Sequence, residues 1–147
     1  MTQNDIFHHQ HPIRMNLART LIGAVLFINL QAAIAFLLWP SRFIGSFELT
    51  GVVGEATLRG IAVLFLMWNV PYALALWNPL RQRVSLYEAI VMQTIGVVGE
   101  TIIYLTLPET HVQARGAIWR FIIFDGIGLL ALIAAAVSTK PNDIRPG

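Results

Sequence analysis

The chain contains no cysteine and a single lysine, Lys140, and only 12% of its 147 residues are charged, about half the ~25% of an ordinary soluble domain. Each absence removes a chemistry. Without cysteine there is no disulfide, no dithiol redox pair, no iron-sulfur cluster and no thiolate zinc site. The lysine lies close to the C-terminus, so no Schiff-base cofactor sits inside an apolar stretch. The four histidines, His8, His9, His11 and His111, fall outside the apolar stretches as well, which removes a haem ligated within a bundle. Also missing are a Gly-x-x-x-x-Gly-Lys phosphate loop, a Gly-x-Ser-x-Gly elbow and a His-Glu-x-x-His zinc motif.

What remains is apolar. Hydrophobic residues make up 56% of the chain and the mean hydropathy is +0.64, too little polar surface to wet a globule of this size. Four stretches are long enough to cross a hydrocarbon core, which takes about 20 helical residues. They run over residues 17–39, 51–77, 84–107 and 114–137. The intervening breaks are short and carry turn chemistry at Pro40, Asn78-Pro79 and Pro108. Short connections predict antiparallel neighbours, so the expected fold is all-α, a single integral membrane four-helix bundle with up-down topology. The apolar run of the first stretch exceeds the ~7 to 15 residues of a signal-peptide core and is read as a retained helix.

Basic residues set the expected orientation. Arg14, Arg19, Arg81, Arg83, Lys140 and Arg145 fall on one side, against Arg42 and Arg115 on the other, which predicts that both termini are cytoplasmic. The net charge of +2 and pI near 9.5 therefore read as topology signals, with no nucleic-acid partner. The tract His8-His9-Gln10-His11 reads as a short cytoplasmic tail along the headgroups.

Five residues are costly in lipid. Glu55 and Arg59 lie in the second stretch, Glu100 in the third, and Arg120 and Asp125 in the fourth; each costs about 2.5 to 3.5 kcal/mol at the bilayer centre. At 1.5 Å of rise per residue they sit about 6, 12, 10, 9 and 16 Å from the outer helix ends, so they converge in the outer half of the bundle. The expected inward stripe of the second helix is Glu55, Arg59, Ala62, Leu66 and Asn69, and that of the third is Gln93, Gly96, Glu100 and Tyr104. Glu88 falls off that stripe and reads as interfacial. Asn29 and Gln31 point to nearly opposite sides, so at most one joins the cluster. Three acids against two arginines leave one negative charge, so either a carboxyl carries a proton or a cation visits.

Glu55 and Arg59, acid first at i, i+4, form a favourable pair within one helix, and Arg120 can bridge Glu100 or Asp125 to lock helices together. Intramembrane charges also mark binding sites. Pro71, following Asn69, predicts a kink that frees a carbonyl. Gly-Val-Val-Gly-Glu occurs at 51–55 and 96–100, and its glycines read as close-packing positions.

The size, the four helices, Arg19-Thr-Leu-Ile-Gly23 opening the first and Glu55-x-x-x-Arg59-Gly60 opening the second resemble the DoxX-like group of small bacterial membrane proteins. The resemblance implies a multi-pass protein of the bacterial cytoplasmic membrane with a quinone-associated or redox-accessory role, and it carries over no catalytic residues. Two readings follow. In one, Glu55, Arg59, Glu100, Arg120 and Asp125 line a pocket for a quinone, a lipid headgroup or a proton. In the other, the chain is a non-catalytic structural subunit of a larger membrane complex, and the charges pair with one another or with a partner helix; a discrete monomer or homo-oligomer favours the first reading, copurifying subunits the second. No metal site is expected.

Overall fold

The computed structural model describes residues 3–139, with side chains from residue 13 onward. It is helical throughout: α1 spans Gln3–Leu38, α2 Gly51–Trp68, α3 Val70–Trp77, α4 Arg83–Thr106 and α5 Val112–Ser138. Four stretches are long and apolar enough to cross a membrane, Ile13–Leu38, Gly51–Trp77, Arg83–Thr106 and Val112–Ser138. The first helix begins well before the apolar run at residue 17. Its segment containing His8, His9 and His11 lies outside the residues whose side chains are described.

The predicted kink is a one-residue interruption at Asn69, which itself keeps right-handed helical backbone (φ −76°, ψ −9°). Proline at 71 has no N–H to give the preceding turn, and α2 ends at Trp68, followed by Asn69, whose backbone N–H donates to Phe65 O at 3.1 Å and Leu66 O at 3.2 Å. A new helix, α3, starts one residue later. The break redirects the chain: α3 packs against α4 and α1, whereas α2 packs against α1 and makes no extended contact with α4 or α5.

Two cores form on either side of this divergence. One joins Ala18, Ile22 and Val25 of α1 to Tyr72 and Ala75 of α3, Leu86 and Ala89 of α4, and Leu132 and Ala135 of α5. Its alanines let backbones approach closely, which compensates for the weak hydrophobic drive between helices in lipid. The other joins Phe36 of α1 to Leu58 and Ala62 of α2. The connection after α1, expected as a plain loop, instead forms two short 3-10 helices, Pro40–Arg42 and Ile44–Phe47, that lay Phe43 and Phe47 against this second core.

Outward positions are apolar and exposed, as at Phe27 (67%) and Leu130 (69%), the pattern of a surface solvated by hydrocarbon.

Candidate functional site

Between the two cores lies a cavity of about 860 Å³. Aromatic rings furnish one side. Phe36 meets Phe43 at 5.1 Å, Phe47 at 5.8 Å and Phe121 at 6.3 Å between centroids, in edge-on geometries. These contacts are favourable beyond simple burial because ring edges and faces carry opposite partial charge. Phe65 completes the ring cluster at 6.1 Å from Phe121.

The other side is polar and built on one buried side chain. Gln93 of α4 is 1% exposed. Its Nε2 donates to Asp125 Oδ1 at 2.9 Å and to the Asp125 carbonyl at 3.2 Å, tying α4 to α5. Its Oε1 accepts from the Tyr72 hydroxyl, tying α4 to α3. Tyr72 is fully buried, its oxygen also lies 3.2 Å from Ala89 O, and it receives Trp68 Nε1–H at 3.2 Å. Two glycines make room for this relay. A Cβ at Gly96 would collide with Asp125 Oδ2, and one at Gly128 would lie 2.8 Å from Gln93 Nε2.

Next to the relay, Asn69 closes the end of α2. It is 5% exposed, and its Nδ2 donates to Phe65 O at 2.7 Å. That bond fixes the amide orientation, because the opposite placement would set two oxygens against each other. Asn69 Oδ1 is buried and without a hydrogen-bond partner, as is Glu100 Oε2.

The five expected site residues divide. Glu100, Arg120 and Asp125 line the cavity, whereas Glu55 and Arg59 do not. Those two pair with each other at 3.3 Å on an exposed part of α2. The physical reason is the helix rotation that burial selects. Gly54, Leu58 and Ala62 are the buried positions of α2, at four-residue spacing, so the inward stripe runs through Leu58, Ala62, Phe65 and Asn69 and turns Glu55 and Arg59 away. The expected buried cluster is corrected accordingly: among the described residues no charged side chain is buried. Arg120 is exposed at the cavity rim and makes no ion pair with Glu100 or Asp125.

The third-helix stripe holds for Gln93, Gly96 and Glu100. Tyr104 instead lies under Arg115, whose guanidinium is 4.3 Å from the ring centroid and whose Nη1 donates to Tyr104 O at 2.9 Å and Leu107 O at 2.6 Å. Both Asn29 and Gln31 line the cavity, not at most one. Asn29 falls on the buried stripe of Ala18, Ile22, Val25, Ala33 and Phe36, and Gln31 reaches in from an exposed position. Arg42, read only as an outer-loop charge, also lines the cavity because the 3-10 helices fold it back.

A second polar cluster lies outside the spans. Glu48, in a left-handed conformation with φ 57°, accepts from His111 Nδ1 at 2.6 Å and from the backbone N–H groups of Gln113 at 3.2 Å and Ala114 at 3.3 Å. It caps the start of α5 from the connection between α1 and α2. The His111 hydrogen bond is the largest influence and holds its carboxyl below the usual value of 4.5; desolvation, next in size, opposes it, and the two backbone donors add smaller lowering effects.

Compared with protein-family models, curated proteins and solved structures, the chain matches none.

Proposed function

We propose that this chain is a multi-pass protein of the bacterial cytoplasmic membrane that binds a quinone-type ring ligand in its central cavity and serves a redox-accessory role. The observation that carries the reading is the cavity's two-sided lining. A volume of about 860 Å³ lies within the ~300–1,000 Å³ of small-molecule sites, and the combination of apolar walls with a few placed polar groups is the usual form of such sites. Phenylalanine rings offer faces and edges to a flat ring, while Arg42, Arg120, Asn29 and Gln31 offer donors to its oxygens. A phospholipid headgroup has no ring for the phenylalanines to meet. The resemblance to the DoxX-like group points the same way.

In this reading the helices run up and down with both termini cytoplasmic. Two cross-connections support the alternation. Arg19, early in α1, donates to the carbonyl of Trp77 at the end of α3 at 2.8 Å, and Glu48, after α1, caps the start of α5.

The test is chemical extraction. Protein purified from bacterial membranes in mild detergent should yield an isoprenoid quinone in stoichiometric proportion by mass spectrometry, and Phe121→Ala should lower that proportion several-fold. A preparation that carries phospholipid and no quinone overturns the proposal.

A further inference from the structure

Four arginines among the described residues lie in the connection after α1 or in the first halves of α2 and α5: Arg42, Arg59, Arg115 and Arg120. Two are spent within the protein. Arg59 pairs with Glu55 at 3.3 Å, and Arg115 donates to the carbonyls of Tyr104 and Leu107 while covering the Tyr104 ring. Arg42 and Arg120 form no hydrogen bond or ion pair with any described residue, Arg42 having only the Trp39 ring, 5.9 Å from its guanidinium. It is these two that line the cavity. They leave the backbone beside one aromatic cluster: Arg42 precedes Phe43 and Arg120 precedes Phe121, and both rings pack on Phe36, at 5.1 and 6.3 Å between centroids. The cavity's two carboxyls do not neutralise them, since neither Glu100 nor Asp125 forms an ion pair with a described residue. Asp125 Oδ1 accepts from Gln93 and its Oδ2 stands against Gly96, and Glu100 Oε2 is enclosed. The acids are thus partly walled in, whereas both arginines are exposed.

We infer that the preferred guest of this cavity carries an ionised oxygen on its ring, as the anion of a hydroxyquinone does, and that Arg42 and Arg120 hold that charge while the phenylalanines hold the ring. The inference rests on the reading of the cavity as a ring-ligand site and adds the charge of the guest. A neutral quinone carbonyl also accepts from a guanidinium, but only an oxyanion adds the attraction of a full opposite charge. Both arginines stay charged at any pH the protein meets, and a guanidinium at the edge of hydrocarbon is costly until an anion joins it. Their exposure keeps the effect moderate, because water screens an accessible pair. Ring shape does not discriminate, because a hydroxyquinone and its methyl ether are equally flat.

The test uses the full chain in phosphatidylcholine nanodiscs and four probes: lawsone, a hydroxynaphthoquinone that is ionised at neutral pH; its methyl ether, which is neutral and slightly larger; unsubstituted naphthoquinone, which is neutral and slightly smaller; and octanoate, an anion without a ring. Equilibrium dialysis, with uptake by empty nanodiscs subtracted, should show lawsone binding about tenfold more tightly than any of the other three, the effect of two exposed charge pairs acting together. Arg42→Gln or Arg120→Gln alone should shrink the gap between lawsone and its ether to about threefold, and the double variant should close it. Arg59→Gln, outside the cavity, should leave the gap at about tenfold. Equal binding of lawsone and the neutral quinones in the unaltered protein overturns the inference while leaving the ring-ligand site standing. Octanoate binding as tightly as lawsone assigns the guanidiniums to acyl amphiphiles and overturns it as well. A gap that survives in the double variant overturns the assignment to these two arginines. Binding of none of the three naphthoquinones overturns the site itself, and the inference with it.

Discussion

Replacing Gly128 by alanine tests whether the Gln93 relay is a rigid strut between α4 and α5. The new Cβ would stand 2.8 Å from Gln93 Nε2 and 3.3 Å from both Gln93 Cδ and Val25 Cγ1. An ordinary flexible amide could swing aside, but this one is held at both ends, by Tyr72 on its oxygen and Asp125 on its nitrogen. Overpacking costs about 1–3 kcal/mol, and a displaced interhelical hydrogen bond adds about 0.6 kcal/mol in a membrane setting. Against this, alanine gains about 1 kcal/mol over glycine in helix propensity. The net expectation is a loss of about 0.6–2.6 kcal/mol. Gly126, two residues earlier and on the nearly opposite face of the same helix, has nothing within 4 Å of its would-be Cβ, so Gly126→Ala should leave stability unchanged or raise it by up to about 1 kcal/mol. Unfolding in mixed micelles of mild detergent and dodecyl sulfate, followed by far-ultraviolet circular dichroism, reads both. Equal stability of the Gly128 variant and the parent, or a parallel fall in the Gly126 variant, would refute the strut.

Arg115→Leu should destabilise the bundle by about 1–3 kcal/mol in the same assay, because it removes two carbonyl contacts and the Tyr104 ring contact; Arg120→Leu, which breaks no ion pair, should change stability by less than about 1 kcal/mol while weakening ligand retention. Glu48→Gln should lower the melting temperature at neutral pH, since a carboxyl with a depressed native pKa adds stability that is fully present above its unfolded value of about 4.5 and fades as pH falls through the lower native value; the difference between variant and parent should shrink as pH falls below 4.5, and a difference independent of pH contradicts the cap. Because the chain has no native cysteine, single cysteines report topology cleanly: those at Ser46 and Thr110 should react with an impermeant thiol reagent in intact cells and one at Ser138 should not, with the reverse pattern inverting the orientation.

The spans were legible because hydrophobic length is a one-dimensional property, and Ile13–Leu38 and Val112–Ser138 differ little from the stretches read off the sequence. Facing was harder. On α2, Glu55 and Arg59 satisfy each other at i, i+4 without any neighbour, so the helix was free to bury Leu58 and Ala62 instead, and a stripe drawn through the charges pointed the wrong way. On α4 no such local partner exists for Gln93 or Glu100, and the stripe drawn through them holds. The aromatic side of the cavity was invisible for a different reason. Phe43 and Phe47 sit in a connection whose 3-10 geometry follows from tertiary contact with Phe36 and Phe121, and no local pattern announces it. The glycine pairs looked alike in sequence, yet Gly96 abuts Asp125 while Gly99 has open space, a distinction that exists only once α5 is in place.

The divergence of the chain at Asn69 has a consequence for supply. With α3 held against α4 and the α2 backbone standing apart from it, side chains rather than closely packed backbones bridge that flank, as where Trp68 Cζ2 comes within 3.9 Å of where a Cβ on Gly96 would stand. On the ring-ligand proposal, that side-chain flank is where a lipophilic guest enters, by lateral diffusion from the leaflet rather than from water. Its occupancy follows its mole fraction in the membrane, so an affinity measured for this chain scales with the lipid-to-protein ratio of the preparation and not with the aqueous concentration of the guest.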